Sequence, residues 1–496
     1  MALQPLQYKN DDLVRRKLNP EPKALRWTLR QECIEQVKRH LLQWARNESC
    51  PPTNPIAAAA AVAATDIPRY QLRDCPASLL QEVLESVLGD ESNSQPLKLA
   101  AEQLLVNGLE EFDFRCVDDI HFDELTPIFE LVKLNGSNFK CLRLVGRWTY
   151  APGAAAMIRD LLQSCPNLER CVLQEAHFEQ LLCVARSCTR LVSLDVLHPS
   201  LGRKDVAALQ LAGRREKFAI RRSLRSLTLP ASVDGSSLLT LLEFFSEVVD
   251  LTCVHLEDLM VAVSEAELAA VHRCAKLRAL RATQVMGWTS VETLVAVFPN
   301  LERLGLKTQE IMNVQHLARL EKLTALRLEN SLVIPSSYTD DVLPLLKAIG
   351  HRLTELALVY FDVIELPKTH SYCPNLRSLD LQHFTLLGCT ADRHHRLQHG
   401  REQAFEQLRR LHMRPRQGKC VTQEACYLLL KHCRQITHVE LHEAYGLTDA
   451  LASVLSQHNG FSDLLYLRLR GGHSLSRSGI ETLLGRAIRL RYCHVP

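Results

Sequence analysis

From residue 139 onward one short pattern of apolar and polar positions recurs, apolar-x-x-apolar-x-apolar. It is clearest in CPNLERCVL around Leu168, FPNLERLGL around Leu301, LEKLTALRL around Leu323, HRLTELALV around Leu353 and CPNLRSLDL around Leu376. With the first apolar residue of each copy as its anchor, thirteen copies hold the register: Phe139, Leu168, Leu191, Leu224, Val248, Leu277, Leu301, Leu323, Leu353, Leu376, Leu408, Ile436 and Leu464. Anchors are 22 to 33 residues apart, enough for a short strand and a helix, and helix-like runs such as TLVAVF and ACYLLLKHC fill the intervals. A unit of this size cannot bury its own apolar face, so the copies must stack. Positions one, four and six then face the interior, and positions three, five and seven alternate outward along a strand.

Three residues before the anchor, five copies have cysteine (Cys165, Cys188, Cys274, Cys373, Cys433) and four have phenylalanine (Phe245, Phe298, Phe405, Phe461). Phenylalanine neither ligates a metal nor forms a disulfide, so the interchange marks an apolar pocket in which free cysteine packs as a small hydrophobe. The seventeen cysteines are odd in number, with no Cys-x-x-Cys pair, and most are expected as reduced thiols. These copies resemble the cysteine-containing leucine-rich repeats of F-box substrate receptors and related proteins. The resemblance implies an α/β fold, a leucine-rich-repeat solenoid or horseshoe over residues 131–496 with parallel strands on its concave face. No asparagine ladder follows the motif, so main-chain bonds and varied contacts are expected to hold the turn after each strand.

Upstream the pattern changes. Residues 1–70 read as an N-terminal arm: TLRQECIEQVKRHLLQWAR places Ile34, Val37, Leu41 and Leu42 on one helix side, ESCPPTNP breaks it, and Ala57 to Ala64 reads as a flexible linker or a short helix. Residues 71–130 read as a helical adaptor-box-like or capping region. In DCPASLLQEVLESVLGD, Pro76 suits a first helical turn, and Leu79, Leu80, Val83, Leu84, Val87 and Leu88 recur at helical spacing before Gly89. A second helix, PLKLAAEQLLVNGL, follows.

SLLQEVLESV resembles the elongin-binding box of cullin-RING substrate receptors at Ser78, Leu79 and Val87, with Val83 where that family has cysteine. In the zyg family such a box precedes a proline-led helix and leucine-rich repeats, as Pro76, Pro96 and Leu99 do here. CPASLLQEVLESVL is also similar to the opening helix of an F-box, with Cys75 in place of the first leucine. The first resemblance implies elongin C and a cullin as partners, the second the Skp adaptor; both dock an apolar helix face into a groove. A plain cap over the first repeat is the third reading. From the resemblance, the expected function is substrate recognition for a cullin-RING ubiquitin ligase, against a non-ligase scaffold or signalling protein with the same repeats.

Composition narrows this only slightly. The chain is 46% hydrophobic and 23% charged, and 59 basic against 56 acidic residues leave +3, too little for a non-specific hold on nucleic acid or anionic membrane. The N-terminus lacks the apolar core of a signal peptide, and no run of about 18 apolar residues occurs, so cytoplasm or nucleus is expected. No Gly-rich phosphate loop, nucleophile elbow or metalloprotease helix is found, so no enzyme, cofactor or metal is expected. Cys389, His394, His395 and His399 fall close together in CTADRHHRLQHG, but adjacent histidines rarely face one ion, and the stretch reads as a surface loop. LRLRGG, Leu467 to Gly472, matches the tail of ubiquitin by chance: Leu467 and Leu469 belong to the repeat. On the concave face Arg281, Arg303, Lys307 and Arg327 come from three consecutive copies and read as one basic patch. Arg410, His412, Arg414, His438, His442, Arg468 and Arg470 read as a second, interrupted by Glu440. Arginine's planar fork suits an acidic or phosphorylated target.

Overall fold

The computed structural model describes residues 109–117, 122–198, 202–229, 233–253, 276–286, 290–308, 314–330, 337–388 and 405–495, with positions 37, 39, 83 and 258. Pro76, Ser78, Leu79, Val87, the alanine tract, Cys274 and the stretch from Cys389 to His399 lie outside the described residues. Two compact units are present: Met1–Leu109 with Asp119–Leu131, and Glu110–Asp118 with Val132–Pro496. In the first, Val83 is helical and 1% exposed. No helix among the described residues is long and apolar enough to cross a membrane.

The second unit is built on one sheet of fifteen parallel strands that neighbour one another in chain order. They are β1 (Glu111–Asp113), β2 (Cys141–Leu144), β3 (Arg170–Leu173), β4 (Ser193–Val196), β5 (Ser226–Thr228), β6 (Asp250–Cys253), β7 (Ala279–Met286), β8 (Arg303–Thr308), β9 (Ala325–Asn330) and β10 (Glu355–Val359). The sheet continues with β12 (Ser378–Phe384), β14 (Arg410–Pro415), β15 (His438–Thr448), β16 (Tyr466–Ser474) and β17 (Tyr492–His494). A separate parallel pair joins β11 (Val363–Glu365) to β13 (Leu386–Gly388). Between strands run helices such as Ala154–Gln163, Phe178–Ser187, Gln423–Leu430 and Asp449–His458, so the α/β leucine-rich-repeat solenoid is the observed fold.

All thirteen anchors are interior, none more than 4% exposed. Positions four and six follow the same rule: Leu304 and Leu306 behind Leu301, Leu326 and Leu328 behind Leu323, Leu379 and Leu381 behind Leu376 are all buried. Each such side chain removed from water contributes roughly 1.5–3 kcal/mol, so three per repeat make stacking the main source of stability. Two strands lie beyond the thirteen copies. Leu109, Phe112 and Phe114 are buried around β1 as a Leu-x-x-Phe-x-Phe copy, upstream of residue 131, where the solenoid was expected to begin. Phe112 packs on Phe114 at 4.7 Å and on Phe139 at 6.3 Å between centroids, and Phe114 meets Trp148 at 5.3 Å, forming an aromatic start to the stack. At the other end β17 pairs with β16.

The position before the anchor behaves as a packing pocket. Cys165, Cys188, Cys373, Cys433, Phe245, Phe298, Phe405 and Phe461 are all buried, and the cysteines are free thiols. Burial pushes the Cys165 and Cys373 thiols up to about 12, keeping them neutral. The turn after the strand has a shared backbone solution in the later repeats. Seven residues past their anchors, Tyr360, His383, Glu443 and Gly471 have φ of 65°, 55°, 52° and 72°. At His383 and Glu443 the pairing register shifts and then resumes, so these are bulges that interrupt the ladder. Gly471 has a second reason to lack a side chain, because the Glu443 carboxylate occupies the space of a Cβ. Leu467 and Leu469 before it are buried, as the repeat requires.

The pocket cysteines differ in one testable respect. The Cys433 thiol donates toward the Phe405 and Leu429 carbonyls, the former at 3.1 Å, whereas the Cys165 thiol makes no hydrogen bond among the described residues. Cys165→Ser is expected to lower stability by about 1–3 kcal/mol, and Cys433→Ser by less, because its hydroxyl inherits acceptors. Urea unfolding midpoints measure both; equal losses would remove the hydrogen-bond explanation. Alkylation at about pH 8 followed by peptide mass mapping should label exposed Cys420 and spare Cys165 and Cys373 while the protein is folded.

Candidate functional site

The parallel register turns positions three and five of successive repeats into two continuous rows across the open face of the sheet. The first row runs Asp250, Ala279, Arg303, Ala325, Glu355, Ser378, Arg410, His438, Tyr466, Tyr492. The second runs Thr252, Arg281, Gly305, Arg327, Ala357, Asp380, His412, Glu440, Arg468, His494. From Asp250 to Tyr466 in the first row and from Thr252 to Glu440 in the second, they line a trough of about 760 Å³. Its floor is small in the middle, where Ala279, Gly305, Ala325, Ala357 and Ser378 fall, and aromatic at the end, where Tyr466 stacks on His438 at 5.9 Å and on Tyr492 at 4.7 Å.

Three arginines cross this floor in the same way. Arg303 reaches over Ala279 to Asp250, 3.2 Å between Nη2 and Oδ2. Arg327 reaches over Ala357 to Asp380, Nη1 to Oδ2 3.0 Å. Arg410 reaches over Ser378 to Glu355, Nη2 to Oε1 2.8 Å. Each pair spans two inter-strand gaps, roughly 9.5 Å of backbone separation, which a guanidinium can bridge only where the residue beneath is small. Arg281 lies over Gly305: a Cβ there would come within 3.2 Å of its Cγ.

Two carboxylates act as hubs. Asp380 accepts from Arg327, from Gln382 Nε2 at 2.9 Å, and pairs with His412 Nδ1 at 2.7 Å. Burial raises the pKa of this carboxyl, but the His412 and Gln382 hydrogen bonds and the charge of Arg327 outweigh it, and the net shift is downward. Glu440 lies 3.2 Å from His442 Nε2, 3.8 Å from Arg468 Nη1 and 3.6 Å from Arg470 Nε; chiefly the His442 hydrogen bond holds its carboxyl below the ordinary range. Asp250 is different: burial pushes its carboxyl up despite Arg303.

The expected basic patches are therefore corrected. Arg281, Arg303, Lys307 and Arg327 do line neighbouring strands of one face, but not as a field of free positive charge. Lys307 pairs with Glu329 at 3.0 Å, and Arg303 and Arg327 are neutralised as described. In the second group Arg410, His412, His442, Arg468 and Arg470 all lie beside Glu355, Asp380 or Glu440. Of the cations in these two groups, Arg281 and Arg414 make no ion pair among the described residues. The acidic residues were readable from the same register: Asp250 and Glu355 stand at position three of their repeats, Asp380 and Glu440 at position five. Of the adaptor-box residues only Val83 is described, and its burial means that its side chain is taken up by atoms of this chain.

No protein-family model matches the sequence, and no curated protein matches it. Solved structures resemble it at low identity. An internalin of Listeria monocytogenes is 12% identical with a TM-score of 0.26, over 86% of this chain and 93% of that one. The complex of Rad7 and Elc1 in yeast matches at 14% identity and a TM-score of 0.43, over 94% and 92%. A leucine-rich-repeat protein of Leptospira interrogans matches at 12% identity and a TM-score of 0.28, over 82% and 93%. Likeness at these values carries no argument about function.

The hubs and the exposed pairs differ in energetic weight. Asp380→Asn removes the charge that three donors share, with the Asp380 and Arg327 side chains only 23% and 29% exposed, and is expected to cost about 1–3 kcal/mol at neutral pH. Arg303→Ala breaks a pair exposed at 63% and 38% and should cost about 0.5 kcal/mol or less. Because the folded pKa of Asp380 is depressed, its stabilisation is present above the unfolded value of 3.8 and is lost as pH falls through the folded one. Guanidinium titrations should show the gap between wild type and Asp380→Asn closing below about pH 4. A gap independent of pH would deny Asp380 its charged role.

Proposed function

We propose that this chain is a recognition scaffold without catalytic activity of its own, which binds a protein segment in the trough of its leucine-rich-repeat sheet. The observation that carries this reading is the construction of the trough: a floor of small residues, an aromatic end, and side chains of both charges held in fixed positions by one another. Such a surface offers shape and alternating charge to an extended chain, a common use of solenoid faces. Arg281 and Arg414 favour a segment that brings acidic or phosphorylated groups to those two places.

The finer proposal is that the scaffold serves as the substrate-recognition subunit of a cullin-RING ubiquitin ligase in cytoplasm or nucleus. It rests on the resemblance of Ser78, Leu79 and Val87 to an elongin-binding box, or of the same helix to an F-box. Elongin C with a cullin, or the Skp adaptor, are the partners these resemblances imply. A second reading, a helical region that only caps the solenoid, is favoured by the burial of Val83.

Direct binding separates the two. Full-length protein is titrated against purified elongin C with its own partner, and against the Skp adaptor, by calorimetry. The ligase reading expects one of them to bind and Leu79→Asp to abolish that binding without a change in melting temperature, since a charge enters an apolar groove only at high cost. Binding of neither adaptor leaves the capping reading. For a target so recognised, Arg281→Glu with Arg414→Glu should weaken affinity about tenfold, or about 1.4 kcal/mol, and leave adaptor binding unchanged. An unchanged target affinity would remove these two positions from the interface.

A further inference from the structure

Beside the trough residues His412 and Glu440 stands His442, and the three converge from adjacent strands. His442 and Glu440 share one face of β15 because they are two residues apart, and His412 on β14 is level with Glu440 in the ladder. One ligand atom from each of the three lies within 4.8 Å of the others. The imidazole rings of His412 and His442 are 5.8 Å apart and inclined at 68°, a T-shaped arrangement rather than a stack. All three side chains are half-buried.

We infer that His412, Glu440 and His442 form a binding site for a transition-metal ion of the zinc class, with a fourth position open to the trough. Two imidazoles and one carboxylate are a sufficient donor set for zinc, and three protein ligands leave one coordination position for water or for a group on a bound partner. The second observation is behind the cluster rather than in it. His412 Nδ1 is 2.7 Å from Asp380 Oδ1, and Asp380 is itself held by Arg327 and Gln382. A carboxylate bonded to one ring nitrogen fixes the ring and leaves Nε2 for a metal, which is the usual support of a metal-ligating histidine.

The surrounding charges determine which ion suits the site. Asp380 and Glu440 supply two negative charges, while Arg327, Arg468 and Arg470 stand close to them, with Arg414 and His438 on the same two central strands. Calcium and magnesium depend on several oxygen ligands and gain little from imidazole, so this cationic setting disfavours them. Zinc, nickel and copper form strong bonds to imidazole nitrogen and tolerate it. Arg468 and Arg470 also make an anionic fourth ligand welcome, since a carboxylate or thiolate arriving from a partner would meet them as well as the metal. The site does not depend on whether the scaffold joins a ligase.

Full-length protein stripped by chelator is titrated with zinc ion alone by calorimetry and with cobalt ion alone by visible absorption. One equivalent of zinc is expected, with cobalt giving an intense visible band. His412→Gln and His442→Gln, each checked for an unchanged circular dichroism spectrum, should each weaken binding at least about tenfold. His438→Gln and the double change His394→Ala with His395→Ala should leave it as it was, and calcium or magnesium should neither bind nor compete. The inference is overturned if the stripped protein takes up no zinc, or if the double variant loses the zinc that His412→Gln and His442→Gln retain.

Discussion

Every feature of the second unit depends on the fact that one repeat holds only part of a core. An anchor such as Leu301 is buried only because neighbouring repeats cover it along with Leu304 and Leu306. Local propensity cannot supply that: three-residue strands like β1 and β5 have no independent stability. Stacking therefore comes as a package with parallel pairing, and parallel pairing fixes adjacent strands just under 5 Å apart and in register. The cost of ordering each interval is offset by a triad of side chains removed from water, repeated at every step. The ends need other devices, and at the start of the sheet the cluster of Phe112, Phe114, Phe139 and Trp148 provides one.

The spacing that burial imposes also decides the chemistry of the open face. With strands held at fixed separation, an arginine on one strand meets an acid two strands away if, and only if, the intervening residue stays low. Ala279, Ala357 and Ser378 are those intervening residues, so the small floor and the ion pairs above it are a single arrangement. A larger side chain at Ala357 would separate Arg327 from Asp380, and through Asp380 would disturb His412. Packing below the sheet and electrostatics above it are thus linked through register.

The repeat was legible in the sequence because its signal is local and periodic: all thirteen anchors are interior. The copy at Leu109, Phe112 and Phe114 escaped notice because phenylalanine stands at two of its three apolar places and helical-looking segments flank it. At the other end Cys493 makes a weak fourth position in β17. The ion pairs were not legible as pairs. Arg303 and Asp250 are 53 residues apart, Arg327 and Asp380 53, Arg410 and Glu355 55, and nothing local connects them. Outward-facing arginines alone suggested a basic patch; acids in the same two positions of other repeats cancel it. The left-handed residues at Tyr360, His383, Glu443 and Gly471 share a backbone task but no side-chain chemistry, so composition could not reveal them.

A face neutralised in this way recognises partners differently from one of uniform sign. A partner acid approaching Arg327 must displace Asp380, exchanging one ion pair for another, and such an exchange yields little net affinity because both states satisfy the guanidinium. Discrimination remains large, because a partner that displaces Asp380 without offering a cation in return leaves a half-buried carboxylate, and His412 beside it, without compensation. The same reasoning applies at Glu440, which already answers to His442, Arg468 and Arg470. Favourable binding must then come from elsewhere: Arg281 and Arg414, which pair with no acid among the described residues, and the low middle floor where an extended chain can lie. The fixed pairs between them set the spacing that such a chain has to match.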